Sequence, residues 1–408
     1  MGTVSRRLLL FAATTGYQIR VFAVAARRLG VELTLATDRC HVLEDPWGDA
    51  AIAVKFDRIA ESVESLRSLS CDAVAAVGDR PALLAAAAAE MLGVPFHPLR
   101  AARASNDKFL ARQLYQSAGL RVPPFFRARC DEDPRDLAAR APCPCVLKPL
   151  GLSASRGVIR ANDSDEFVDA FERIRKMGEQ QIQVEGYIEG REFAVEGLVT
   201  AGRFDPLAIF DKPDPLEGPF FEETIYVTPS REAAAVQQQL IATTVCAVEA
   251  LGLRHGPVHC ELRYNREGAW ILETAARPIG GLCAKALRFE PDVPLEEVIL
   301  RHALGEDVTH ARLAGPASGV MMIPVPRDGI YESVEGLDRA RAVRGVEDVI
   351  ITAKPGQRLV PLPEGASYPG FLFARGDTPE DVEAALRASH AELRFQVATV
   401  LETLRPSS

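Results

Sequence analysis

Apolar and polar positions alternate in blocks between residues 6 and 105, and the blocks change type along the chain. Arg7–Thr14 is an apolar run that reads as a buried strand, whereas Ile19–Leu29 spaces Val21, Val24, Ala25 and Leu29 as a helix does. Val31–Ala36 gives a second strand. Cys71–Val77 gives another, closed by Gly78-Asp79, and Pro81 then opens an alanine-rich helix where the missing proline N–H costs little. Strands alternating with helices predict a doubly wound parallel sheet, with ligands beyond the strand C-termini, near Thr14–Gly16 and Gly78-Asp79. The first turn lacks G-x-G-x-x-G, so dinucleotide binding has no support.

Beyond residue 106 the pattern changes. A helix is predicted from Asp107 to about Ala118, an extended segment from Val122, and a strand over Cys145–Pro149. The small-residue loop Gly151–Gly157 follows, then a helix over Asp163–Lys176 and strands over Gln181–Tyr187 and Glu192–Thr200. Residues 205–230 are rich in Pro, Gly and acids and read as a long loop, which in a compact domain is usually functional or disordered. Ala233–Leu251 reads as a helix, and Gly256–Tyr264 with Ala269–Thr274 as a hairpin turning at Asn265–Gly268. Short strands dominate from Ser318, and Thr378-Pro379-Glu380-Asp381 starts a last helix with a cap and early acids.

Composition narrows the class. A chain of 408 residues, 47% hydrophobic and 25% charged, has material for two or three domains with a sizeable core. The net charge of −9, from 47 basic and 56 acidic residues, excludes a large phosphate-backbone footprint, so no nucleic-acid partner is expected. Arg6-Arg7 before Leu8–Ala13 briefly resembles a leader, but the run is short and ends in Thr14-Thr15-Gly16 without a cleavage pattern. No segment reaches the ~18 apolar residues of a membrane helix, so a cytoplasmic protein with no membrane partner is expected. The eight cysteines are scattered, and Cys143-Pro144-Cys145 has neither zinc nor C-x-x-C spacing, which predicts reduced thiols.

Two groups of residues point to phosphate chemistry. Lys148 ends a strand and is followed by a Gly/Ser loop, whose backbone N–H groups can approach phosphates while the ammonium supplies charge; it is not a Walker A loop. Glu261 and Glu273 lie on the two strands of the predicted hairpin, where both carboxylates can face one side at matching depth. Mg²⁺ commonly binds through such a pair plus substrate phosphates; the alternative is a salt bridge to Arg263 or Arg277. His255 and His259 have a helical zinc spacing but fall on a strand. There, four residues span roughly 13 Å, so a two-histidine zinc site is rejected and His259 is read as a packed or hydrogen-bonded neighbour.

Taken together, the stretches Ser105–Arg112, Val146–Pro149 with Gly151–Val158, Val184–Glu192, Gly256–Glu261 and Leu272–Arg277 resemble the ATP-grasp superfamily of ligases, in the family's order and over roughly residues 1–310. The resemblance implies that Lys108 and Lys148 contact ATP phosphates under a flexible cover, Gly151–Gly157, in which Ser153, Ser155 and Gly157 bind. It makes Glu185, Tyr187 and Ile188 part of the adenine-binding hinge, and it gives Glu192 the ribose hydroxyls. Glu261 and Glu273 become the ligands of Mg²⁺ (or Mn²⁺), with two ions expected, and Arg277 steadies the acyl phosphate or substrate carboxylate. Ala275 stands where many members have a metal-binding Asn, so the second ion would be held by a bridging Glu273 or by water. The version Glu273-Thr-Ala-Ala-Arg277, the segment Phe221–Ser230 and the region around Pro355–Val360 are similar to bacterial L-amino-acid (dipeptide) ligases. In that comparison Glu223 meets the substrate amino group, and Tyr226 replaces a common histidine.

The resulting expectation is an α/β and α+β multidomain protein. It has an N-terminal α/β domain (1–110), an ATP-grasp lid (111–190), a catalytic subdomain (191–315) and a C-terminal α+β lobe (316–408). The expected activity joins a small-molecule carboxylate, of an amino acid, to an amine through an acyl phosphate, releasing ADP and phosphate. The rivals are a carboxylating or purine-pathway-type enzyme using bicarbonate, and a catalytically silent ATP-binding module. Related enzymes are often dimers, which makes a second copy of the chain, in a homodimer, a candidate partner.

Overall fold

A computed structural model describes residues 6–13, 18–38 and 51–399. The chain divides into two units, each built from three separate stretches of sequence. The first unit comprises residues 1–122, 192–210 and 230–315.

That unit begins with a four-stranded parallel sheet in the order β3-β2-β1-β4, formed by β1 (Arg7–Ala12), β2 (Glu32–Thr37), β3 (Ala51–Ala53) and β4 (Ala73–Val77). Central β1 pairs with β2 and β4, placing Leu10 level with Leu35 and Ala75, and Leu8–Ala12 are buried because neighbours cover both faces. The expected alternation of strand and helix is therefore present; the turn at Thr14–Gly16 lies outside the described residues. The unit also holds a helix, Ala234–Leu251, and the hairpin strands Gly256–Asn265 and Gly268–Ala275, with the strand from Arg191 to Thr200 beside the first of them. Leu9, Phe11, Val74, Leu84, Val195, Leu240, Val258 and Ile271 join one buried core.

The second unit comprises residues 123–191, 211–229 and 316–408. One of its sheets orders Phe125–Arg129, Gln181–Gly186, Cys145–Pro149 and Ile159–Ala161 in antiparallel pairs. The helix Ser164–Lys176 covers it with Phe167, Phe171 and Ile174; Asp163 caps this helix by accepting from the N–H groups of Asp165 and Glu166. Ile225–Thr228, Ala317–Met322, Gly370–Gly376 and Val346–Ile351 form a second antiparallel set, backed by the helix Pro379–Glu392. That helix starts with the reciprocal Thr378/Asp381 capping box its sequence predicts.

One expectation fails. Residues 205–230 are not one long loop: Arg203–Lys212 and Ile225–Thr228 are strands. Burial of Phe204, Ala208, Ile209 and Phe210 overrides the proline and acids that signalled a loop, leaving only the residues between the strands irregular. Among the described residues no helix is long and apolar enough to cross a membrane.

Candidate functional site

The hairpin of the first unit sets its chemistry. Cys260, Leu262 and Ile271 are fully buried in the core, whereas Glu261 and Glu273 are only partly buried and lie directly opposite one another. An irregularity in register produces this alignment: Glu261 pairs with Glu273 but Leu262 pairs with Ile271, so Leu272 is the extra residue of a bulge. Without it, Glu261 would oppose Leu272. Arg112, buried, secures the bulge by donating to the carbonyl oxygens of Ile271 (2.6 Å) and Leu272 (3.2 Å). Ser105 does the same just beyond, donating Oγ–H to Thr274 O (2.5 Å) and accepting from Ala276 N–H (3.1 Å).

Cationic groups flank the two carboxylates. Arg277 leaves the hairpin and donates its Nε–H to Asp79 Oδ1 at 2.6 Å and one Nη1–H to Pro278 O at 3.1 Å. Asp79 is the first residue of the helix Asp79–Leu92, placed there by Gly78, whose φ of 95° suits glycine, and the Asn106 amide holds the Asp79 carbonyl at 3.0 Å. Burial alone would lift the Asp79 carboxyl, but Arg277, and more weakly Lys108 and His259, hold it below its ordinary range. Burial opposes the Arg277 charge, and Asp79, followed by Glu273 and Glu261, more than offsets that. His259 lies between Glu196 and Glu261, bonded to both; burial disfavours its charge, yet Glu196 chiefly raises its pKa to about 9. The structure thus brings Glu261 and Glu273 into electrostatic range of Arg277, and Lys108 into range of Asp79. Glu192 instead pairs with buried Arg263 at 2.9 Å.

Sequence reasoning gave Asp79 only a minor place and missed Glu196. The one signal for Glu196 is its i+4 relation to Glu192 on a predicted strand, which puts both on one face.

The remaining candidates belong to the second unit. Lys148 is ion-paired with Glu185, a diagonal neighbour across the strand pair, and Gln183 donates to the other Glu185 oxygen at 2.8 Å. Tyr187 N–H bonds Pro144 O at 2.8 Å, Ile188 is buried, and the Tyr187 ring lies 3.9 Å beneath the Arg160 guanidinium, with the Phe221 ring stacked at a centroid distance of 6.5 Å. In the Gly151–Gly157 loop, Ser153 is exposed and Ser155 half-buried. Ala154 and Ser155 have φ of 55° and 56°, and at Gly157 a Cβ would come within 2.5 Å of Pro149 Cγ. Glu223 is ion-paired with buried Lys212, whose ammonium is 4.9 Å from the Tyr226 ring centre.

The carboxylate pair fits a divalent cation by its chemistry: two hard oxygen donors face each other and repel unless charge is placed between or beside them. Comparison with known proteins finds two domain families along the chain. Residues 141–286 match the ATP-grasp domain, and residues 321–398 match the L-amino acid ligase C-terminal domain 2. The chain is 25% identical over 297 residues to an uncharacterized protein of Sinorhizobium fredii, covering 72% of this chain and 61% of that protein. It is 29% identical over 222 residues to an alanine–anticapsin ligase of Bacillus subtilis, covering 48% of this chain and 46% of that protein. The chain therefore spans less than two thirds of either relative's length. The crystal structure of an L-amino acid ligase from Bacillus licheniformis superposes with a TM-score of 0.82 at 25% identity, covering 98% of this chain and 100% of that one.

Proposed function

The chain carries an ATP-grasp domain followed by an L-amino acid ligase C-terminal domain, and from that premise we propose that it is an ATP-dependent carboxylate–amine ligase acting on amino acids. The observation that carries the proposal is the facing pair Glu261 and Glu273 with Arg277 beside it, anchored by Asp79.

In this reading a carboxylate oxygen attacks the γ-phosphorus of ATP, the bond to the β-phosphate oxygen breaks, and ADP leaves. The amine nitrogen of the second substrate then attacks the acyl carbon, phosphate departs, and the nitrogen loses a proton. Lys108 and Lys148 supply positive charge to the phosphates, and N–H groups of the loop bearing Ser153, Ser155 and Gly157 supply further donors. Glu185, Tyr187 and Ile188 bind the adenine and Glu192 the ribose. Glu261 and Glu273 would hold Mg²⁺ (or Mn²⁺), which when bound neutralises phosphate charge. Arg277, held by its bonds to Asp79 and Pro278, offers its remaining Nη1–H, in this reading, to the oxyanion formed during amine attack. Glu223 receives the substrate amino group. The amino-acid substrate class is supported by the likeness to the B. licheniformis L-amino acid ligase and the B. subtilis alanine–anticapsin ligase.

The test is product analysis with ATP, Mg²⁺ and pools of amino acids. The proposal expects amino-acid-dependent ADP and phosphate together with a new condensed mass. AMP and pyrophosphate, or ATP turnover that depends on bicarbonate alone, would overturn it.

A further inference from the structure

The C-terminal region holds the loop that the proposed function places over the ATP phosphates. Within the second unit, the turn Pro361–Gly365 meets this loop and the helix behind it at four points. Pro363 O accepts the N–H of Gly157 at 2.8 Å, and Glu364 O accepts the Nε–H of Arg156 at 3.0 Å. The Glu364 carboxylate takes a forked pair of bonds from Arg173, at 2.5 Å and 2.9 Å. Arg173, on the helix Ser164–Lys176, is itself held against the Phe220 ring, 5.0 Å from its centre. The turn is rigid where it matters: Gly365 N–H bonds Pro361 O at 2.9 Å, and a Cβ on Gly365 would fall 1.7 Å from Val360 O, so only glycine fits.

The loop needs such support. Its non-glycine residues Ala154 and Ser155 sit in the left-handed region, a conformation that persists only where surroundings over-determine it. Its entry is tied by Gly151 N–H to Glu179 at 3.2 Å, and its exit by the turn. The residues that tie the exit lie in the segment matching the L-amino acid ligase C-terminal domain, outside the segment matching the ATP-grasp domain.

We infer that Glu364 is a positioning residue: with Pro363 it latches the phosphate-covering loop, so the C-terminal lobe governs how firmly that loop closes over ATP. This rests on the reading of Gly151–Gly157 as the phosphate cover. The Arg173–Glu364 pair is exposed on both sides, which makes it a modest contribution to folding but an adjustable one to loop position.

The experiment compares wild type, Glu364→Ala, and the charge swap Arg173→Glu with Glu364→Arg. Amide hydrogen exchange of residues 151–157, with and without ATP, is read beside KM for ATP, kcat, and ADP released per amide formed. Glu364→Ala should exchange faster in the loop alone, raise KM for ATP about 3- to 10-fold, and release ADP in excess of amide. The charge swap should recover at least part of each. Unchanged loop exchange in Glu364→Ala, or faster exchange with KM for ATP unaltered, overturns the inference. The exchange measurement needs no turnover, so a wild-type protein inactive with every amino acid would sink the ligase reading while leaving the latch to be judged on exchange.

Discussion

Arg277 donates its Nε–H to Asp79 Oδ1 across 2.6 Å, joining the end of the acidic hairpin to the first residue of the helix behind β4. The two charges hold each other in a largely buried place, so removing either leaves the other uncompensated. Asp79→Asn should lose about 2–3 kcal/mol of stability, measured by chemical denaturation, and lower ligase kcat by freeing the guanidinium. Arg277→Lys keeps the charge but not the fork, and should lower kcat about 10²-fold or more while KM for ATP stays near wild type. A near-normal kcat in Arg277→Lys would remove the oxyanion role.

The opposed carboxylates give a prediction with two signs. Glu273→Ala should cut ATP turnover at least about 100-fold, as loss of a metal ligand would. In EDTA the same variant should melt at or above the wild-type temperature, because like charges directly across a strand pair repel. A fully active variant would sink the metal assignment, and so would a Mg²⁺-dependent rise in melting temperature equal to that of wild type.

A buried histidine should set part of the acid limit. His97 accepts the Arg254 N–H on Nδ1 (3.2 Å), so its Nε2–H donates to Pro257 O (3.0 Å) and the ring is neutral. Burial holds its pKa down at about 4, against 6.5 for the ordinary group. A depressed pKa means stability that is full above pH 6.5 and lost as pH falls toward 4, about 3 kcal/mol in all. His302, stacked 4.2 Å from His255 and lowered to about 4 by burial, adds in the same direction. His97→Gln should flatten the dependence of unfolding free energy on pH between 6.5 and 4; an unchanged slope would exclude His97 as its source.

Much of this was legible in the chain. Alternating blocks predicted the parallel sheet, and the Asn265–Gly268 turn predicted the hairpin that carries Glu261 and Glu273. What was not legible depended on contacts between distant segments. The bulge at Leu272 is secured by Arg112, some 160 positions earlier in sequence, and no local pattern marks it. Asp79 and Arg277 are 198 positions apart, and Glu364 reaches Arg173 across 191, so only the folded chain reveals those pairs. The strand Arg203–Lys212 was hidden for a different reason. Local proline and acid signals outweighed an apolar run whose burial decides the outcome.

The most direct test of the central claim is oxygen transfer. With an amino-acid substrate pair, Mg²⁺, ATP and carboxylate labelled with ¹⁸O, activation as an acyl phosphate predicts one labelled oxygen in the released inorganic phosphate, with ADP as the nucleotide product. Label appearing in AMP, or phosphate released without label while the amide forms, would contradict it.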